Sequence, residues 1–165
     1  MCISFNAGSC RPFWSKMIEF QLQADSRILR AILPKIREAF GSMGKCSWDT
    51  IFPCPNLADE DFSDAWKNGL QEDASEDRRS LARVIMDPRF QHGYIQVEEK
   101  DADSLIRALS ELRLTIRENY LSDIEDEELE TGSFEMENEQ GSIKLGYFSY
   151  LILAEIQERL INSCN

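Results

Sequence analysis

The sequence predicts a mainly α protein, an α+β chain with a minor sheet: a single-domain helical bundle carrying a small two- or three-stranded sheet. Three observations predict it. Apolar residues recur at helical spacing over 101–121. A second apolar run, YFSYLILAEIQERLI, closes the chain. Two short stretches, 17–23 and 94–98, alternate apolar and polar residues as half-buried strands do.

In chain order, residues 1–16 form an irregular N-terminal segment without periodicity, containing Gly8 and Pro12. The main domain is expected over 17–161. In MIEFQLQ, Ile18, Phe20 and Leu22 face one way, so this is the first strand. Asp25 or Ser26 then caps a helix whose apolar positions are Ile28, Leu29, Ile32, Leu33, Ile36 and Phe40. Pro34 lies inside it, removes a hydrogen bond and predicts a kink or a division there, and Gly41 and Gly44 end the helix.

Residues 44–57 are irregular, with Pro53 and Pro55 flanking Cys54. A helix fits 58–71, with Phe62, Ala65, Trp66 and Leu70 on one side. Ser75 is expected to cap a separate helix with Glu76 and Asp77 in its first turn and Leu81, Ala82, Val84 and Ile85 on its apolar side. Pro88 limits that helix, because the residue before proline avoids helical angles.

MDPRFQHGY, residues 86–94, holds the single histidine. The candidate catalytic residues of the chain are His92, Asp87 and Arg89. An Asp-His pair needs Asp87 to orient His92 and a nucleophile opposite it, and no GxSxG elbow or equivalent is present. Pro88 and Gly93 explain the stretch as a turn between a helix end and the strand YIQVE, which is the reading adopted.

The long helix from about Asp101 to Leu121 carries Leu105, Ile106, Leu109, Leu112, Ile116 and Tyr120 in one stripe. With Leu29, Ile32, Leu151 and Ile152, residues 105, 109, 112 and 116 are the predicted core. Arg113 and Arg117, one turn apart off that stripe, are placed either to clasp a carboxylate or phosphate or to pair with nearby acids. Residues 122–140 then hold nine acidic residues and no basic one. This acidic insert is expected to be exposed and peripheral to the fold. Asp123, Glu125, Asp126, Glu127, Glu128 and Glu130 in it are the candidate contacts for a basic partner. FEMEN and SIKL within and after the insert alternate as a hairpin would, which offers a third strand.

Composition narrows the function. A hydrophobic fraction of 42% is globular, and a formal charge of −12 without a basic patch argues against nucleic acid or an anionic membrane as partner. No run approaches a membrane span, and residues 2–10 show neither a positive n-region nor an apolar h-region, so a cytoplasmic chain is expected. Cys2, Cys10, Cys46, Cys54 and Cys164 are odd in number and never spaced CxxC, which reads as reduced thiols and not as a zinc site. The acidic insert lacks EF-hand spacing, and Glu155 with Glu158 lacks the ExxH pairs of a di-iron bundle. No metal and no cofactor is expected. Trp14, Trp48 and Trp66 are expected to be buried.

The element order, with VEEKDADSLIRALSELRLTI after a strand ending in acids and YFSYLILAEIQERLI at the end, resembles an uncharacterised bacterial family described as a domain of unknown function. The resemblance spans 17–161 and is most specific at ALSELRLTI. It departs in the first sixteen residues and in the acidic insert. It implies a mainly helical fold and, through frequent gene proximity to the adaptor of the Clp protease, a link to protein turnover; it assigns no catalytic residues. The functional expectation is a non-enzymatic protein-interaction or accessory regulatory factor with a protein partner. The alternative is a small enzyme using His92 with Asp87 and Arg89.

Overall fold

The structure, a computed structural model, describes residues 16–44, 53–131, 133 and 141–164. Among these residues, strands β1 (Met17–Gln21) and β2 (Tyr94–Glu98) accompany five helices: α1 (Ser26–Ser42), α2 (Glu60–Ile85), α3 (Ala102–Tyr120), α4 (Asp126–Thr131) and α5 (Gly141–Ser163). The mainly α reading with a minor sheet holds.

The two strands pair antiparallel, with Ile18 opposite Val97 and Phe20 opposite Ile95. The alternation that marked both strands turns these pairs onto one face, and Ile18, Ile95 and Val97 are buried. Backbone bonds from Leu22 N to the Gly93 oxygen (2.8 Å) and from Glu99 N to the Lys16 oxygen (2.8 Å) extend the pairing at both ends. A short 3-10 turn, Pro88–His92, leads into β2. It buries Phe90 completely and ends on Gly93 at φ 79°, a left-handed angle that glycine adopts without strain.

Helix α3 is the central element, packed against α5, α2 and α1. Leu105, Leu109, Leu112 and Ile116 of the predicted stripe are buried, joined by Ala102, Ser104 and Ala108, while Ile106 and Tyr120 of that stripe are half-buried against the core. Leu29, Ile32, Leu33 and Ile36 of α1, Leu81, Val84 and Ile85 of α2, and Ile152, Leu153, Ile156 and Leu160 of α5 complete the core. At one point α3 and α5 come so close that a Cβ on Gly146 would stand 2.6 Å from the Tyr120 Cβ.

Arginines close the helix ends that backbone bonding leaves open. Arg78 of α2 donates to the Phe40 and Met43 oxygens at the end of α1 (3.3 and 2.8 Å), and Arg37 of α1 donates to the Ile85 oxygen at the end of α2 (3.2 Å). Each cation thus satisfies terminal carbonyls at the negative pole of the other helix.

Five expectations are corrected. Residues 60–85 form one helix instead of two: Asp59 caps it, and the Ser75 hydroxyl bonds back to the Gln71 oxygen (2.8 Å) inside the helix. Pro34 does not divide α1, because it and Arg30 lie on the exposed side, where the carbonyl left without a donor is open to water. SIKL belongs to α5, so the described residues form a two-stranded sheet; FEMEN lies outside the described residues. Leu151 is 40% exposed and the core position beside it is Leu153, since the buried face of α5 follows 149, 152, 153 and 156. Within the acidic insert, Ile124 and Leu129 are each only 6% exposed, so residues 121–131 dock on the bundle instead of lying outside it. Burying two such side chains contributes on the order of 1.5–3 kcal/mol each.

Trp14, Trp48, Cys2, Cys10 and Cys46 fall outside the described residues, and Trp66 is a sixth correction: it is exposed at 36% instead of buried, stacked on Phe62, because residues 60–79 of α2 bury Ser63 alone. Cys54 is a half-buried free thiol and Cys164 an exposed one. No helix among the described residues is long and apolar enough to cross a membrane.

Candidate functional site

On α3, Ser110, Arg113, Leu114 and Arg117 follow one another at helical spacing along the side turned away from the core stripe. Tyr150 and Gln157, two turns apart on α5, share the facing side. Between them Gln157 holds both partners: its Oε1 accepts from Arg113 Nη1 (2.9 Å), and its Nε2 donates to Ser110 Oγ (2.6 Å) and the Ile106 oxygen (3.3 Å). The Arg113 guanidinium lies 4.4 Å from the Tyr150 ring centroid. Its Nε is buried and has no hydrogen-bond partner among the described residues, and none of their carboxylates pairs with it.

Ser110, Arg113, Leu114, Arg117 and Tyr150 line an open cleft of about 350 Å³, closed on the other side by Asp126 and Leu129 of α4. Leu114 (63% exposed), Leu129 and Tyr150 give it apolar walls, and Arg113 and Arg117 give it positive charge. Arg117 has a structural task as well. It donates to the Leu121 oxygen, to the Ile124 oxygen (2.8 Å) and to Asp126 (2.8 Å), which ties the turn after α3 to the start of α4. Arg117 therefore realises the pairing alternative; Arg113 does not.

The outer side of α4 and of the turn before it is acidic. Asp123, Glu125, Glu127 and Glu128 are exposed, and among the described residues no cation pairs with them. Asp126, at 83% side-chain exposure, is the exception through Arg117. Glu130 lies on α4, and its side chain is outside the described residues.

The candidate catalytic residues stand elsewhere, on the turn into β2. Asp87 accepts from the Arg89 backbone N–H (2.8 Å) and from the Arg89 guanidinium (2.7 to 3.2 Å), and these hydrogen bonds hold its carboxyl below the usual carboxylate range. Arg89 also covers the Tyr94 ring at 4.8 Å. His92 is exposed; its backbone oxygen accepts from Gln21 Nε2 (2.6 Å), and among the described residues its imidazole makes no hydrogen bond. Asp87 and Arg89 are brought together, and His92 is not oriented by Asp87.

Elsewhere, Glu155 pairs with Arg159 (2.9 Å), and no group of three or more metal-ligating side chains occurs among the described residues. Burial raises the Glu111 carboxyl above its ordinary range, opposed by nearby Arg78 and a hydrogen bond from the Gly44 backbone. Sequence reasoning singled out Arg113 and Arg117 and missed Ser110, Leu114, Leu129, Tyr150 and Gln157. The i, i+3, i+4, i+7 spacing of the α3 residues was readable as one face, but which face of α5 opposes it was not.

No curated protein and no solved structure matches the chain. The sequence pattern of DUF2017, a domain of unknown function, matches residues 49–164, which covers α2 through α5 with β2 and leaves β1 and α1 outside. More than half of the chain carries that pattern, and the chain belongs to the DUF2017 family.

Proposed function

We propose that this chain is a non-enzymatic protein-interaction factor that presents the acidic side of α4 to a basic surface of a partner protein. One observation carries the reading. Ile124 and Leu129 anchor residues 121–131 to the bundle, so Asp123, Glu125, Glu127 and Glu128 are held at fixed positions, exposed and without an ion pair among the described residues. Fixed charges of one sign steer an opposite surface and bring a smaller ordering cost on association than a floppy acidic tail. An accessory role in bacterial protein turnover, in the cytoplasm, is the context that the family resemblance implies for this partner. The enzyme alternative, His92 with Asp87 and Arg89, is less well supported because the Asp87 carboxylate is engaged by Arg89.

The test is affinity capture from bacterial lysate with the full chain and with a variant in which Asp123, Glu125, Glu127 and Glu128 are changed to Asn or Gln. Neutralising these exposed side chains leaves Ile124 and Leu129 in place, so the fold survives. The partner should be retained by the wild type, lost from the variant, and released as salt rises, since exposed charges are screened within about 8 Å at physiological ionic strength. Capture that is equal for both chains and indifferent to salt would refute the reading.

A further inference from the structure

We propose that the cleft between α3, α4 and α5 receives the C-terminal carboxylate and the apolar last side chain of the partner's polypeptide, with basic residues just before that terminus crossing the acidic side of α4. The proposal rests on the partner reading above and names the class of segment that fits it.

The charge layout leads to it. Inside the cleft the guanidinium of Arg113 is oriented by the Tyr150 ring and by Gln157, yet a single hydrogen bond, to Gln157 Oε1, engages its five donors among the described residues. A planar guanidinium held this way is preorganised for a carboxylate, which accepts two parallel N–H bonds. Outside the cleft the sign reverses from one helix to the next: Arg113 and Arg117 of α3 line the cavity, with the one lining carboxylate, Asp126, paired to Arg117, whereas Glu127 and Glu128 lie exposed on α4. A ligand that is only anionic would be repelled by this rim, and a ligand that is only cationic would leave Arg113 unanswered.

The walls select further. Leu114, Leu129 and Tyr150 line the same cavity of about 350 Å³ as Arg113, a size for one side chain and its backbone terminus. A C-terminal apolar residue carries a carboxylate and an apolar side chain on one Cα, which matches one guanidinium beside three apolar side chains. An internal acidic residue would carry its carboxylate and an apolar group on different residues. Capture of a chain terminus through its carboxylate is a recurrent recognition mode. Asp126, exposed and paired with Arg117 at the mouth, adds a weak internal ion pair that does not fill the Arg113 position.

The experiment uses the full chain and a dye-labelled peptide of lysine and serine residues ending in leucine, made both as the free acid and as the C-terminal amide, with binding read by fluorescence anisotropy. The free acid should bind about 10-fold more tightly than the amide, the scale of one charge-assisted hydrogen-bonded contact. Arg113→Met should collapse that ratio to about 1 while amide binding is retained, and Arg113→Lys, which keeps the charge without the planar fork, should recover part of it. The acid-to-amide ratio is measured within each folded variant, so a loss of stability does not imitate the effect. Neutralising Asp123, Glu125, Glu127 and Glu128 should weaken both peptides and leave the ratio in place. Equal binding of acid and amide to the wild type overturns the carboxylate pocket and leaves the acidic surface standing. Binding of neither peptide overturns both.

Discussion

Asp87 and Arg89, two residues apart, form a closed ion pair at 2.7 Å that also caps the turn into β2, and His92 stands outside it. The consequence is a sharp contrast between neighbours. His92→Asn should change the urea unfolding free energy by less than about 0.5 kcal/mol, as exposed substitutions do. Asp87→Ala removes a cap and should cost about 1 kcal/mol. Loss of a purified activity on His92→Asn would instead establish the enzyme reading.

In the core, Leu109→Ala should cost roughly 2–5 kcal/mol by lost transfer energy and cavity formation, because Leu109 is 1% exposed. Leu151→Ala should cost under about 1 kcal/mol, since 40% of that side chain remains in water. Chemical denaturation of the two variants side by side measures the difference; similar losses would place α5 in the wrong rotation.

Gly146→Ala opposes two terms. Alanine gains about 1 kcal/mol of helix propensity over glycine. The new methyl would meet the Tyr120 Cβ at 2.6 Å and its ring carbon Cγ at 3.3 Å, both on the neighbouring helix. Overpacking of that kind costs about 1–3 kcal/mol, so the net effect should be destabilising or, at best, neutral. A rise in the denaturation midpoint would show that α3 and α5 can separate freely.

Tyr120 supplies a pH dependence. Burial, then the hydrogen bond with Glu38, pushes its phenol up to about 12 from an ordinary value near 10. A pKa raised on folding means that the folded state holds the proton more tightly. The contribution is fully present below pH 10 and is lost as pH rises towards 12. Urea midpoints of the wild type should therefore fall more steeply across that window than those of Tyr120→Phe, which has no phenol to titrate. Parallel curves would show that folding does not raise the Tyr120 phenol.

Much of this architecture was legible in the sequence because period and burial coincide. The α3 stripe at 105, 109, 112 and 116 and the alternations at 18–22 and 95–97 each have a single face that solves the packing problem. The long α2 was not legible, because Ser75 with two acids after it looks the same whether it caps a helix or bonds back within one. The acidic insert misled for a different reason. Nine carboxylates dominated the reading, while two apolar residues at 124 and 129 decided where the segment goes. Of the candidate site, the arginines were visible; Gln157 and Tyr150 were not, since pairing across helices depends on rotation about both axes.

The crossed arginine contacts between α1 and α2 act as an alignment key. Sliding either helix by a turn, about 5.4 Å, would pull Arg78 from Phe40 and Met43 and Arg37 from Ile85 at once, so axial position is defined at both ends. Half of that key lies before residue 49, where the DUF2017 pattern starts, as does β1, the partner of β2. The stretch that matches the family is thus shorter than the unit that folds. A fragment cut at that boundary would keep Arg78 without its acceptors and leave Ile95 and Val97 uncovered, so the stretch before the pattern is structural framework for the site on α3 and α5.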